Sequence, residues 1–228
     1  MMAAKKPHKV NQKARVLLVD DHPVVRQGLA QLINQESDLE ICAEAENAPK
    51  AFEAIARTNP HVAVVDITLG DCDGIELIKN IKATHPELPL LVLSMHDESL
   101  YCERALRAGA KGYIMKQEAT TNVLTAIRRV LKGELFLSDK MKQKMIHQLV
   151  SGKPKSSESP VERLSDRELE VFRLIGRGSG TRQAAEKLHL SVKTIETHRS
   201  HIMEKLGLRS PTELAQCAFQ WVHSQSRP

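Results

Sequence analysis

Polar side chains follow four short apolar runs in this sequence, at the point where each run ends. They are a carboxylate pair, a single carboxylate, a hydroxyl and an ammonium group: Asp20 and Asp21, Asp66, Ser94, and Lys116. A carboxylate can attack phosphorus as a nucleophile, and a nearby cation neutralises charge on the phosphoryl group that is transferred. Neighbouring carboxylates repel each other, so three of them favour a divalent cation, and hard oxygen ligands suit Mg²⁺. These residue types predict phosphoryl transfer to a carboxylate beside Mg²⁺, provided that the fold brings them together.

The apolar runs have the pattern of buried parallel strands, and amphipathic segments separate them. We predict five strands, at residues 15–19, 39–45, 62–65, 88–94 and 112–115, and five helices, at residues 23–33, 48–57, 74–84, 99–109 and 120–131. In the first helix, we expect Val24, Leu29, Leu32 and Ile33 to form the inward stripe. Parallel strands need crossover connections, and right-handed crossovers place helices on both faces of the sheet. The fold class is therefore α/β, a doubly wound five-stranded parallel sheet.

The carboxyl ends of such strands border one crevice, where ligands bind in open α/β sheets. Asp66 ends the most uniformly apolar run, and the other polar groups end neighbouring runs. We therefore expect Asp66 to lie at the centre of the site.

The last third of the chain is predicted to be all α-helix. Ser165 and Glu168 have capping-box spacing before a first helix, and a short second helix spans 181–188. Ser191 caps a third helix that ends at Gly207, and a fourth spans 210–222. The expected inward stripe of the third helix is Val192, Ile195, Ile202 and Leu206. Two helices joined by a tight turn, the second with a polar outer face, predict a helix-turn-helix that binds DNA.

Four segments follow from these patterns. Residues 1–14 form a basic, disordered leader, residues 15–132 the α/β domain, residues 133–161 a linker with a possible helix over 139–150, and residues 162–228 the helical domain. The linker contains the Pro-, Ser- and Lys-rich sequence GKPKSSESP, a composition typical of flexible connections.

The composition narrows the class of protein. The chain has 228 residues, 41% of them hydrophobic, which suffices for two modest cores. A net charge of +5 permits a nucleic-acid partner, but an aromatic content of 3% argues against binding of single strands by base stacking. No apolar run has the length of a membrane span or the core of a signal peptide, so we expect a cytoplasmic protein without a membrane partner. The 4 cysteines lack metal-ligand spacing and are expected to be reduced thiols.

Residues 15–131 resemble the receiver domain of two-component response regulators, which has a flavodoxin-like fold. The resemblance makes Asp66 the phosphoacceptor and Lys116 the lysine that binds the phosphoryl group. It assigns Mg²⁺ ligation to three carboxylates and one backbone carbonyl: Asp20, Asp21, Asp66 and Thr68.

Ser94 matches the switch hydroxyl of that family, and Tyr113 matches its switch aromatic. The sequence departs from the family after the phosphoacceptor, where Leu69, Gly70 and Asp71 stand in place of the usual Met-Pro-Gly. This change removes a rigid proline and adds a carboxylate, so it leaves the lifetime of the phosphoryl group open.

Residues 163–222 resemble the four-helix LuxR-type DNA-binding domain. The matching residues are Glu168, Gly178, Ala185, Lys193, Thr194, Ile195, His198 and Leu206. By position, the resemblance implies contacts with base edges for Glu196, Thr197 and Ser200. It implies contacts with DNA phosphates for Arg182, Lys193, Thr194 and Arg199. Glutamate can accept from cytosine N4, and threonine can contact a thymine methyl group, so these side chains suit base reading.

Together the two resemblances indicate a response regulator of the NarL/FixJ type. They imply a sensor histidine kinase as phosphodonor, double-stranded DNA as target, a homodimer when phosphorylated, and transcription control rather than enzymatic turnover, apart from self-catalysed phosphotransfer and dephosphorylation. Two alternatives stay open. One is a phosphate-independent DNA-binding dimer with a degenerate receiver, and the other is an aspartyl-phosphate phosphatase, suggested by the sequence Asp66-Ile67-Thr68.

Overall fold

The computed structural model describes residues 13–69, 72–95, 98–150, 160–188 and 190–225. The chain divides into two compact units, Met1–Lys144 and Met145–Pro228. Residues 1–12 of the predicted leader, Gly70 and Asp71, and nearly all of the GKPKSSESP segment lie outside the described residues, whereas Ala14 of the predicted leader is the first residue of a strand. No helix within the described ranges is long and apolar enough to cross a membrane.

The first unit is built on a five-stranded parallel sheet, in which the strands lie in the order Leu39–Ala45, Ala14–Val19, Val62–Asp66, Leu90–Ser94 and Gly112–Met115. Its strands are β1 (Ala14–Val19), β2 (Leu39–Ala45), β3 (Val62–Asp66), β6 (Leu90–Ser94) and β7 (Gly112–Met115). Every residue of β3 and β6 is buried, as expected for central strands covered on both faces. The predicted doubly wound fold is confirmed.

Helices cover both faces of this sheet, and all five predicted helices are present. They are α1 (Pro23–Asn34), α2 (Ala48–Thr58), α3 (Gly74–Thr84), α4 (Glu98–Arg107) and α5 (Ala119–Leu131). The predicted inward position of Val24 is wrong, because this side chain is 82% exposed. Leu29 and Ile33 are buried, and they lie four residues apart on one face of the helix. Val25, four residues before Leu29, packs against the core in place of Val24.

A short antiparallel pair follows Asp66 and was not predicted. It consists of β4 (Thr68–Leu69) and β5 (Cys72–Asp73), with Thr68 paired to Asp73 and Leu69 to Cys72. The pair joins the end of β3 directly to the start of α3 and therefore shapes the backbone next to Asp66.

After α5 the chain returns to the edge of β7. Phe136 forms a parallel bridge with Gly112, and the backbone N–H of Tyr113 donates to the Phe136 carbonyl over 3.0 Å. The Ser138 hydroxyl then donates to Glu98 over 2.6 Å and accepts from the N–H of Met141 in helix α6 (Asp139–Val150). The possible helix at 139–150 is thus present.

Among the described residues of the second unit, four helices follow residue 160: α7 (Asp166–Gly176), α8 (Thr181–Leu188), α9 (Val192–Leu206) and α10 (Pro211–Gln225). The capping box at Ser165, the cap at Ser191 and the left-handed Gly207 at the end of α9 are all as predicted. Val192 is 40% exposed, so its predicted inward position is wrong. The first turn of α9 is exposed over 191–193, and packing begins only at Ile195.

Candidate functional site

Asp66 is the last residue of β3 and is 2% exposed. Its Oδ2 accepts a hydrogen bond from Lys116 Nζ over 2.7 Å, and its Oδ1 accepts one from the Thr68 backbone N–H over 3.1 Å. The four apolar residues before Asp66 are buried within the sheet, so the Asp66 carboxylate lies at the carboxyl end of the central strand. Asp66 therefore lies at the position that the sequence predicted.

The ammonium group of Lys116 connects three strand ends. Lys116 follows β7, and its Nζ also lies 2.6 Å from Oδ2 of Asp20, which follows β1. The side chains of Lys116 and Asp20 are each 5% exposed. Arg26 holds the Asp20 main chain, because its Nη1 donates to the Asp20 carbonyl over 2.6 Å. Two carboxylates thus share one buried cation.

Burial dominates the protonation equilibrium of Asp66. Removal of this carboxyl from water, together with repulsion from Asp20, raises its pKa to about 6, although Lys116 acts in the opposite direction. For Lys116, burial opposes the charged form, but attraction to Asp66 and hydrogen bonds to Asp20 and Asp66 outweigh it, so the pKa of Lys116 is raised. One ammonium therefore leaves the buried carboxylates incompletely compensated.

Asp21 and His22 complete an acidic cluster around Asp66. Potential ligand atoms of Asp20, Asp21, His22 and Asp66 all lie within 4.8 Å of one another. His22 Nδ1 is 2.6 Å from Asp21 Oδ1 and 3.3 Å from Asp20 Oδ1. We did not predict a role for His22, and the available signal was its place directly after the acidic pair. The cluster matches the predicted carboxylate set and adds one imidazole.

The remaining predicted receiver residues lie on elements that border Asp66. Thr68 contacts the Asp66 carboxylate through its backbone N–H, as described above. Ser94 ends β6, the strand next to β3, and is fully buried. Tyr113 lies within β7, three residues before Lys116, and is 2% exposed. The switch roles of Ser94 and Tyr113 stay predictions.

Gly74 is a further residue that the local geometry requires. Its N–H donates to the Ile67 carbonyl over 2.9 Å, which brings the start of α3 against the backbone after Asp66. A Cβ atom at position 74 would lie 2.5 Å from the Asp66 carbonyl oxygen and 2.5 Å from the Ile67 Cα. No side chain fits there without a shift of the backbone, so this glycine sets the path of the chain next to Asp66.

The helix α9 presents the predicted DNA-contacting residues. The side chains of Lys193, Glu196, Thr197 and Ser200 are exposed, and those of Thr194 and Arg199 are partly exposed. The Thr197 and Ser200 hydroxyls donate to carbonyls four residues earlier, over 3.1 Å in each case. Arg182 is exposed in the first turn of α8. The chain thus carries all seven residues on α8 and α9.

Ionic contacts hold α9 against the neighbouring helices. Glu168 in α7 is 3% exposed, and its carboxylate accepts from Lys205 of α9 over 2.7 Å. Arg167 donates to the Leu188 carbonyl at the end of α8 over 3.0 Å. Arg199 Nη1 lies 3.5 Å from Thr181 Oγ1, so this guanidinium faces the start of α8. These contacts between helices were not predicted from sequence.

Comparison with protein families assigns both halves of the chain. Residues 16–128 match the response regulator receiver domain, and residues 162–218 match the bacterial regulatory proteins of the luxR family.

Individual relatives extend over nearly the whole chain. The oxygen regulatory protein NreC of Staphylococcus aureus is 37% identical over 210 residues, covering 90% of this chain and 97% of NreC. The response regulator RcsB of Salmonella typhimurium is 29% identical with a TM-score of 0.53, covering 90% of this chain and 97% of RcsB. RcsB of Salmonella enterica serovar Typhimurium, solved bound to promoter rprA in the presence of phosphomimetic BeF3⁻, is 28% identical with a TM-score of 0.56, covering 90% and 98%.

Proposed function

The chain belongs to the two-component response regulators that join a receiver domain to a LuxR-type DNA-binding domain, and on that basis we propose that phosphorylation of Asp66 controls its binding to DNA. The observation that carries this proposal is the contact of the buried Asp66 carboxylate with Lys116 at the carboxyl end of the sheet. A carboxylate can act as a nucleophile toward phosphorus, and an ammonium group fixed beside it is placed to neutralise charge on the phosphoryl group.

The donor in the proposed reaction is a phosphohistidine of a sensor kinase. An Asp66 carboxylate oxygen attacks phosphorus, a P–O bond forms, and the P–N bond to the kinase histidine breaks with the imidazole as leaving group. The Lys116 ammonium, already 2.7 Å from Asp66 Oδ2, is placed to neutralise charge on the phosphoryl oxygens. The step gives an aspartyl phosphate and leaves the kinase histidine free.

The acidic cluster fits a divalent cation. Three carboxylates converge there, and burial raises the pKa of Asp66 to about 6, so a divalent cation would stabilise the charged form of this carboxyl. Asp20, Asp21, Asp66 and the backbone carbonyl of Thr68 would hold Mg²⁺. When bound, the ion supplies positive charge that stabilises the phosphoryl group during transfer. Oxygen donors of this kind are the ligands that Mg²⁺ prefers.

Ser94 and Tyr113 are the proposed switch. Ser94 ends the strand beside β3, and its hydroxyl would donate to a phosphoryl group on Asp66. Tyr113 lies on β7, whose edge is paired with Phe136 in the segment that leads to α6. Phosphorylation would shift the population of these conformations rather than create a new fold.

The output is binding to double-stranded DNA in the cytoplasm and control of transcription. Glu196, Thr197 and Ser200 would face base edges, and Arg182, Lys193, Thr194 and Arg199 would contact phosphates. The solved structure of two RcsB dimers bound to two parallel DNAs supports a dimer as the DNA-binding form. A dimer would place two copies of α9 about one helical turn of DNA apart.

The proposal is tested by measuring DNA affinity with and without Mg²⁺ and BeF3⁻, on a sequence selected from a random pool. The wild-type chain should bind roughly tenfold more tightly with the phosphoryl mimic, a typical coupling between two sites. Asp66→Asn should show no change, and Asp71→Asn, altered five residues further along, should keep the response. An unchanged wild-type affinity would favour the phosphate-independent dimer, and turnover of small phosphate esters would favour the phosphatase.

A further inference from the structure

We propose that His22 supplies a nitrogen ligand to the cation beside Asp66, which raises the affinity of this site for first-row transition ions relative to its affinity for Mg²⁺. The inference rests on the cation site of the proposed function and assigns a residue and an ion class that the carboxylate set alone does not.

The spacing of the potential ligand atoms supports a shared ion. His22 Nδ1 lies 2.6 Å from Asp21 Oδ1 and 3.3 Å from Asp20 Oδ1. Adjacent ligand atoms of a six-coordinate ion with bonds near 2.1 Å are about 3 Å apart. The imidazole nitrogen and the two carboxylate oxygens therefore already have nearly the separation that neighbouring ligands require.

Lys116 does not contact the oxygen atoms that lie nearest to His22. Its ammonium contacts Oδ2 of Asp20 and Oδ2 of Asp66. His22 approaches the other oxygen of Asp20, because both its Nδ1 and its backbone N–H lie near Oδ1. The cation of Lys116 and the proposed metal ion would thus use different oxygens of the same carboxylate.

The backbone around His22 is held on both sides of its Cα. Its N–H donates to Asp20 Oδ1 over 2.8 Å, and its carbonyl accepts from the N–H of Arg26 over 3.1 Å. Pro23 then begins α1, which fixes the exit of the chain. With the backbone held, the imidazole keeps its place near Asp21 with only two side-chain torsions free.

The imidazole of His22 lies on the solvent side of the site. The His22 side chain is 54% exposed, whereas those of Asp20 and Asp66 are 5% and 2% exposed. A ligand on the open side takes the position that water occupies in a site of oxygen donors alone. Imidazole binds first-row transition ions well, and Mg²⁺ prefers oxygen, so this replacement changes the ion preference.

An alternative role makes a different chemical prediction. If Nδ1 carries a proton and only donates it to Asp21, the imidazole orients that carboxylate without coordinating the ion. Coordination requires Nδ1 to present its lone pair to the ion. Nuclei of coordinating nitrogen couple magnetically to bound Mn²⁺, so a spectroscopic measurement separates the two roles.

The test uses the full-length chain with Mn²⁺ as probe. Pulsed electron paramagnetic resonance should detect nitrogen coupling in the wild type and lose it in both His22→Gln and His22→Phe. The ratio of Mg²⁺ to Mn²⁺ dissociation constants should fall by about tenfold or more in both variants. His85→Gln, a change in the same unit where Nδ1 lies 2.9 Å from Thr84 Oγ1, should retain the coupling and the ratio.

The His22 assignment would be overturned if the wild type bound Mn²⁺ without nitrogen coupling and had the same ratio of Mg²⁺ to Mn²⁺ dissociation constants as the His22 variants. That result would leave the proposed function intact. Failure of the wild-type chain to bind either ion would overturn the proposed cation site as well. The cation site and the His22 ligand would both be supported if the wild type showed nitrogen coupling and Asp66→Ala no longer bound Mn²⁺.

Discussion

Lys116 Nζ and Asp66 Oδ2 are 2.7 Å apart although 50 residues separate them in the sequence. The same ammonium lies 2.6 Å from Asp20, so one cation joins the carboxyl ends of β1, β3 and β7. The contacts that join these three strand ends are therefore the same contacts that place the ammonium group beside the Asp66 carboxylate.

Removal of this cation should destabilise the receiver. We expect Lys116→Met to lower the free energy of unfolding of the α/β unit by about 3 kcal/mol, because it leaves buried carboxylates without their partner. Urea unfolding at mildly alkaline pH without divalent ions measures this loss. Lys111→Met, at an exposed position of the same unit, should change stability by at most about 0.5 kcal/mol. Equal effects of the two substitutions would show that the Lys116 contacts contribute little.

Gly74→Ala should disturb both stability and phosphorylation. The added methyl group would lie 2.5 Å from backbone atoms of Asp66 and Ile67, so the end of β3 has to move. We expect a loss of at least about 2 kcal/mol, as for other overpacked sites, and slower labelling by acetyl phosphate. Gly28→Ala is the matched control, because nothing lies within 4 Å of its added Cβ in α1. That change should stabilise the helix by about 0.5–1 kcal/mol. A neutral Gly74→Ala variant would contradict the close approach.

The sequence was sufficient for those features that depend on local pattern. Buried strands of uniform apolar residues, the capping box at Ser165 and the end of α9 at Gly207 were all predicted and are present. The convergence of Asp20, Asp66 and Lys116 followed from the rule that parallel strands share one carboxyl edge.

The sequence did not predict the features that depend on contacts between distant segments of the chain. Lys205 and Glu168 are 37 residues apart, and no local pattern pairs them. Gly74 is required by the backbone of another segment, and the place of the His22 ring depends on the turn before α1. Val24 was misplaced because hydrophobicity alone did not show which of two adjacent valines faces the core.

Two substitutions in α9 should separate phosphate contact from base reading. Lys193→Ala should weaken binding to all DNA sequences alike and reduce the slope of log affinity against log salt by about 1. Glu196→Ala should cost about 1–3 kcal/mol on the preferred sequence and relax the choice of one base pair. Binding titrations at several salt concentrations, on the selected sequence and its single-base variants, measure both quantities. The assignment fails if Glu196→Ala weakens all sequences equally.

His198 should make the helical unit less stable in acid. Burial and the nearby Arg167 charge lower its pKa below the ordinary value of 6.5, so the folded state favours the neutral ring. Below about pH 6.5 the unfolded chain binds a proton that the folded chain resists, and the free energy of unfolding falls as the pH drops towards the folded pKa. His198→Gln should remove this part of the pH dependence in chemical unfolding of the unit. An unchanged pH profile in the variant would count against the depressed pKa.

Labelling of Asp66 tests the central claim most directly. The full-length chain is incubated with radioactive acetyl phosphate and Mg²⁺, and the modified residue is located by peptide mapping. We predict an acid-stable, base-labile acyl phosphate on Asp66 in the wild type and in Asp71→Asn, and none in Asp66→Ala. Undiminished labelling of Asp66→Ala, or a label on another residue of the wild type, would contradict the assignment of Asp66 as the phosphoacceptor.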